Sequence, residues 1–133
     1  MTGERDLRTL LHSMRPELNP GRYVFTTVPG GGTPAGVTPV ATVAEREGMT
    51  LVLPESEAVA AGLAYDYVAG WITLRVHSAL DAVGLTAAVS LALTDAGVSC
   101  NVVAGYHHDH LFVPYARAEE AVQVLEALAA ESR

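Results

Sequence analysis

Residues 71–115 decide the fold of this chain, and they read WITLRVHSAL DAVGLTAAVS LALTDAGVSC NVVAGYHHDH LFVPY. The first residues alternate, which places Ile72, Leu74 and Val76 on one face of a strand. Apolar residues then recur at the spacing of an amphipathic helix: Leu85, Ala88, Val89, Ala92, Leu93 and Ala96. Gly97 suits a helix C-cap, and apolar strands follow over residues 99–104 and 109–114. The stretch therefore predicts a strand, a helix that covers it, and a hairpin.

The composition limits the classes of function. The 133 residues are half hydrophobic, which suits one compact domain or two very small ones with a shared core. A net charge of −7 with only eight scattered basic residues argues against a nucleic-acid surface. Cys100 is the sole cysteine, no apolar run approaches the ~20 residues of a membrane span, and the N-terminus is polar. We expect a cytoplasmic protein that binds neither nucleic acid nor membrane.

The remaining segments supply further strands and covering helices. Predicted helices lie around Leu7 to Met14 with Asp6 as a cap, over 55–61, and after Pro114. Predicted strands cover 23–28, 40–46, 49–53 and 65–77, the last as one long strand or as two joined at a Gly70 bend. The glycine loop at 30–36 lacks the Lys and Ser or Thr of a phosphate loop, so it predicts a flexible hairpin connection.

The order of these elements resembles an ACT domain, a small ferredoxin-like regulatory module. The resemblance includes the segments 97–101 and 109–114, and the whole chain is similar to small bacterial proteins built of two ACT-like units. It implies an α+β fold with a mainly antiparallel sheet covered by helices on one face. The implied units are residues 1–68 and 69–133. The first is degenerate, because a glycine hairpin stands where an ACT domain has a helix.

Four adjacent polar residues, His107, His108, Asp109 and His110, invite a metal hypothesis. On a strand, His108 and His110 share one face while His107 and Asp109 share the other, so a single ion could engage all four only in a tight turn. Three interpretations stay open: a metal centre, a solvated hairpin tip, and a ligand contact. The metal centre would make the chain a small metal-binding protein or metal-dependent enzyme.

Nucleophilic catalysis has weaker support. Cys100 alternates with Val102 and Ala104, which predicts a small apolar side chain facing the core. Ser78 and Asp81 follow His77 too closely in the chain to form a catalytic triad, and they are better explained as helix-capping residues. We therefore expect no enzyme activity and no cofactor.

The start of the helix offers a site for an amino acid. Unpaired backbone donors around Val83 to Leu85 attract a carboxylate, Gly84 permits its close approach, and Asp81 or Asn101 could hold an ammonium group. In the resembled family, effectors bind at this loop and the adjacent strand. By motif position the resemblance nominates seven ligand-binding residues: Ser78, Asp81, Val83, Gly84, Asn101, Asp109 and His110.

These patterns together indicate a non-catalytic regulatory protein. It would bind an amino-acid-like effector and act on a separate protein partner, since we expect no enzyme or DNA-binding domain to be fused to it. A sheet covered on one face would leave the other exposed, so we expect a homodimer, with Trp71 and Phe112 on that outer face.

Overall fold

The computed structural model describes residues 6–76 and 80–132. Its helices are α1 (Leu7–Ser13), α2 (Glu55–Ala60), α3 (Leu85–Asp95) and α4 (Ala118–Glu131), and a 3-10 turn covers Tyr115–Arg117. The strands are β1 (Arg15–Val28), β2 (Ala41–Glu45), β3 (Gly48–Pro54), β4 (Val68–Arg75), β5 (Asn101–Ala104) and β6 (Asp109–Pro114). The expected α+β class with an antiparallel sheet and covering helices is confirmed.

The chain forms two compact units that do not follow its order. Met1–Asn19 and Gly70–Arg133 make the first, which we call the outer unit; Pro20–Ala69 makes the second, the inserted unit. The division falls within β1 and β4, so each of these strands gives residues to both units. The N-terminal segment thus groups with the C-terminal half. The predicted units, 1–68 and 69–133, divide the chain by sequence order instead, and that division stays a prediction.

The outer unit consists of β4, α3, β5, β6 and α4, together with α1 and the N-terminal part of β1. Its strand order is the N-terminal part of β1, then β4, β6 and β5, so the first segment of the chain supplies the fourth strand of a ferredoxin-like sheet. The strand residues Ile72, Leu74, Leu111 and Val113 form one buried core with Met14, the C-cap of α1, and with helix residues: Leu10, Leu11, Leu85, Val89, Leu93, Ala121 and Leu125. Burial of each large apolar side chain in this core adds about 1.5–3 kcal/mol to the free energy of unfolding.

The inserted unit is the degenerate one. Its strands follow the order β2, β3, β1 and pair antiparallel. Residues 29–40, all described, form no helix between β1 and β2. The predicted hairpin connection was wrong, because β3 lies between β1 and β2 in the sheet and the glycine loop crosses over it. Its small core joins Val24, Leu51 and Leu53 with Ala58 of α2.

Three predicted boundaries were wrong. β1 extends back to Arg15, although the predicted strand began at Tyr23. The strand predicted from residue 65 begins only at Val68. The hairpin turn consists of Arg46 and Glu47, because Glu45 pairs with Gly48.

Gly70 has a packing role. A Cβ built on Gly70 would lie 2.6 Å from the Cβ of Ala118, so β4 and α4 approach too closely for any side chain. Its backbone φ is not left-handed, since Gly70 is absent from the positive-φ glycines. Of the two predicted alternatives, the single strand agrees with the structure, because β4 continues through Gly70 from Val68 to Arg75. Close helix packing explains the glycine.

The helix caps divide into one confirmed and one corrected prediction. Asp6 caps α1, because its Oδ2 accepts from the Thr9 backbone N–H at 3.0 Å. Asp81 was expected to cap α3, but the helix begins at Leu85 and the N-cap is Gly84.

Phe112 corrects the expected dimer surface. Its side chain is buried and stacks on Trp71 with ring centroids 6.3 Å apart, so it is unavailable to a partner. Within residues 6–76 and 80–132, no helix is long and apolar enough to cross a membrane.

Candidate functional site

A small cavity of about 120 Å³ lies at the start of α3 in the outer unit. The loop before α3 forms one wall, the first turn of α3 another, and the β5–β6 hairpin a third. Its lining residues are Leu80, Ala82, Gly84, Leu85, Thr86, Ala104 and Asp109. We call it the helix-start cavity.

The first turn of α3 gives this cavity its positive end. Gly84 is the N-cap with φ +105°, and as a glycine it has no side chain to accept from the amides of the first turn. Regular helix bonding begins when the Ala88 N–H donates to the Gly84 carbonyl at 2.9 Å. The amides of Leu85 and Thr86 therefore have no intrahelical acceptor, and with the helix dipole they favour an anion.

Asp109 gives the cavity a negative group. It pairs with Ala104 across the β5–β6 hairpin, and this pairing brings both residues to the cavity. Desolvation by burial raises the pKa of the Asp109 carboxyl above its usual value of 3.8, against the opposing charges of His110 and His108. A ligand ammonium group beside Asp109 would stabilise the ionised carboxylate and offset the free-energy cost of its desolvation.

The structure brings together two of the seven predicted site residues, Gly84 and Asp109. Asp81 and Val83 are exposed in the loop before α3 and do not line the helix-start cavity. Ser78 lies outside the described residues.

Asn101 and His110 lie on the other face of the sheet. Along β6, Leu111 and Val113 point into the helix-covered core, so Asp109 shares their face and His110 does not. Asn101 pairs with Phe112, which alternates with Leu111, and so shares the face of His110. One small ligand in the helix-start cavity cannot contact Asn101 or His110, because the sheet separates them from it.

On that second face His110 takes part in a hydrogen-bond network. The Trp71 Nε1–H donates to His110 Nδ1 at 3.0 Å, and Thr73 Oγ1 lies 3.2 Å from the same nitrogen. Asn19 Nδ2 donates to Thr73 Oγ1 at 3.0 Å. Because an indole N–H only donates, His110 Nδ1 must accept, which defines the neutral Nε2–H tautomer.

The histidine cluster does not converge on a metal position. His107 packs edge-on against Tyr106 at 5.1 Å, His108 Nε2 lies 3.4 Å from the Arg75 guanidinium, and His110 Nδ1 accepts from Trp71. No group of three or more His, Cys, Asp or Glu residues is placed to hold a metal in the described part of the chain. The segment is a hairpin tip, since Ala104 pairs with Asp109 and the Gly105 N–H donates to the His108 carbonyl.

Gly84 supports the fold as well as the cavity. A Cβ at Gly84 would lie 3.1 Å from Leu7 Cδ2, and its positive φ would strain any other residue. The sequence had assigned this glycine to close ligand approach. Its substitution would disturb the contact with α1 and is a poor test of binding.

Sequence reasoning did not nominate Thr86 and Ala104, although both line the cavity. Thr86 lies in the first turn of α3, where a hydroxyl can join the amides around an anion. Had the start of α3 been predicted at Leu85, Thr86 would have been recognised as a hydroxyl residue in its first turn. Ala104 could be found only from the register of the hairpin.

The outer unit combines a ferredoxin-like sheet with a small cavity at the start of α3. Two family models, each described as an ACT domain, match residues 2–70 and 67–127. The chain belongs to the ACT domain family, whose members are typically regulatory ligand-binding modules. No curated protein matches it.

Solved structures agree with the assignment. A Vibrio cholerae protein of unknown function, described as a possible transport protein, is 47% identical, with 92% of this chain and 95% of that chain covered and a TM-score of 0.83. The regulatory subunit of aspartate kinase from Thermus flavus is 10% identical, with 86% and 96% covered and a TM-score of 0.64, which shows a shared fold. An Agrobacterium tumefaciens protein is 19% identical, with 87% and 89% covered and a TM-score of 0.67.

Proposed function

We propose that this protein is a non-catalytic regulator that binds an amino-acid-like effector in the helix-start cavity. The observation that carries the proposal is the pairing of opposite charges in one small space: the positive N-terminal end of α3 beside the carboxylate of Asp109. A carboxylate would bind the amides of Leu85 and Thr86, and an ammonium group would bind Asp109. The cavity suits these two groups, with the effector side chain directed outward.

The chemistry of Cys100 favours binding over catalysis. Its thiol packs against the core of the outer unit, and burial raises its pKa to about 11. A thiol with so high a pKa is almost entirely protonated near neutral pH and is a weak nucleophile. The site is thus best suited to holding an effector.

Regulation would proceed through other chains. We propose a homodimer that passes the bound state to a separate protein partner. The aspartate kinase regulatory subunit from Thermus flavus has the same fold, which supports a regulatory role for this module. Asn101, His110, Asp81 and Val83 have no place in the effector contact that we propose.

A thermal-shift screen of the twenty amino acids tests the proposal. A specific effector at 100 times its dissociation constant adds about 2.7 kcal/mol to the free energy of unfolding. Asp109→Asn and Thr86→Val should remove that gain, while Asn101→Ala on the other sheet face should keep it. The site would be contradicted if every amino acid that gives a gain gave it undiminished in both cavity variants. No gain from any amino acid would contradict the effector class.

A further inference from the structure

A second cavity of the outer unit lies where the end of α1 and the start of β1 meet the last turns of α4. Its volume is about 240 Å³, below the range of about 300–1,000 Å³ typical of drug-sized ligands, so it suits a small metabolite. Met14 and Ala129 in its lining are buried, whereas His12, Arg15 and Glu126 are exposed. The cavity, which we call the terminal-helix cavity, therefore has an apolar base and a charged rim.

Arg15 is held in place at this rim. One of its guanidinium nitrogens, NH1, donates to the carbonyls of His12 at 3.0 Å and Met14 at 2.8 Å. These bonds satisfy acceptors at the end of α1 and fix the plane of the guanidinium. Its other nitrogens can still donate to a carboxylate.

The charged groups of this rim are not used in ion pairs. Arg22, Arg75 and Arg117 each bind a glutamate at 2.6–2.7 Å. Across residues 6–76 and 80–132, neither Arg15 nor Glu126 forms a salt bridge, with the other or with a third residue. A cation and an anion thus line one cavity without neutralising each other, and a ligand of matching charges would satisfy both.

We propose that the terminal-helix cavity binds a small zwitterion that carries one carboxylate and one ammonium group. The carboxylate lies against Arg15 and His12, where Arg15 donates from a fixed plane. The ammonium group binds the carboxylate of Glu126. A short aliphatic part covers Met14 and Ala129. The site is separate from the helix-start cavity and does not depend on the proposed function.

The probes are L-valine, β-alanine, propionate and propylamine, added to ¹⁵N-labelled protein and followed by amide chemical shifts. The two zwitterions should cause saturable shifts at Met14, Ala129 and Ala130. Propionate and propylamine, which each lack one of the two charges, should bind at least about tenfold more weakly.

Two variants and two controls decide the result. Arg15→Gln and Glu126→Gln should each weaken L-valine binding at these amides at least about tenfold. Arg46→Gln and Glu119→Gln, which remove the same charges outside the cavity, should leave it unchanged. Glu126→Gln removes no hydrogen bond within the protein, so it remains informative if Arg15→Gln unfolds.

Three outcomes would overturn the zwitterion site. The first is no saturable shift at Met14, Ala129 and Ala130 up to millimolar probe, and the second is equal affinity in Glu126→Gln. The third is shifts confined to Thr86 and Asp109, which would support the helix-start cavity alone. Shifts at both cavities would support two independent sites, which Asp109→Asn separates by removing only one.

Discussion

His110 is held neutral by the indole of Trp71, and this makes stability depend on pH. Protonation of Nδ1 would place two N–H donors against each other and break the 3.0 Å bond. Desolvation, then the charge of His108, lowers the pKa of His110 below its usual 6.5, although Asp109 raises it and Arg75 lowers it further. Between the folded pKa and 6.5 the unfolded chain binds more protons, so stability is lost as pH falls through that window.

Urea denaturation across that window measures the effect. The free energy of unfolding should fall as pH is lowered below 6.5, and His110→Gln should flatten the slope. His107→Gln, which changes an exposed turn histidine, should keep the slope of the wild type. The carboxylates with lowered pKa, such as Glu17 and Glu55, titrate below 4.5 and do not contribute there. An identical slope in His110→Gln would contradict the role of this bond.

Asp109 should show a conflict between stability and binding. Since burial raises its pKa, its ionised form is less stable in the folded protein than in the unfolded chain at pH values above the folded pKa. Asp109→Asn should therefore raise the melting temperature near neutral pH while it removes effector binding. A lower melting temperature would show that the carboxylate makes a stabilising contact.

Two residues show how far the sequence could locate the site. Gly84 and Asp109 were nominated from the resemblance, and both line the cavity. Asn101 and His110 were nominated with them, but the register of Ala104 with Asp109 places those two on the other face. A one-residue shift in a strand exchanges its faces, and register is set by long-range pairing that local sequence does not show.

Among the elements, β4 and α4 depend on the absence of a side chain at Gly70. Gly70→Ala would force a methyl group against Ala118, at a cost of about 1–3 kcal/mol in the free energy of unfolding. Gly30→Ala is the control, because a Cβ there has no atom within 4 Å and its φ is not positive. Chemical denaturation of the two variants compares them. Equal stability would mean that α4 shifts freely on the sheet.

The helices were predicted more accurately than the strands. The period of Leu85, Val89 and Leu93 and the cap at Asp6 are local signals, and both gave correct elements. β1 was predicted too short, because its first half contains Pro16 and Pro20. These residues form a strand only because β4 lies beside them, a contact between distant parts of the chain.

At the scale of the whole molecule, the structure suggests a surface through which two copies of the chain could associate. With Phe112 buried, the best candidate surface is β2, the last strand in the order of the inserted unit. Its residues Ala41 to Ala44 carry no charge, and Val43 is 49% exposed. An edge strand without Lys or Pro is open to pairing with a second copy.

Light scattering at micromolar concentration should report twice the mass of one chain. Val43→Lys should shift the equilibrium toward one chain, because a lysine on the edge opposes pairing of two copies. Val59→Lys, on the exposed surface of α2, should leave the mass unchanged. A wild-type protein with the mass of one chain would refute the dimer.

The strand that the N-terminal segment lends to the outer unit has a consequence during synthesis. On the ribosome, Met14 emerges before Leu125, a residue of the same core that lies about 110 positions later, which corresponds to roughly 6–22 s at ordinary rates of translation. The inserted unit has all its residues exposed to folding well before then. In the nascent chain, α1 and the start of β1 therefore remain unpacked until α4 has been synthesised. A chaperone that shields Leu10, Leu11 and Met14 during this time would increase the yield of folded protein.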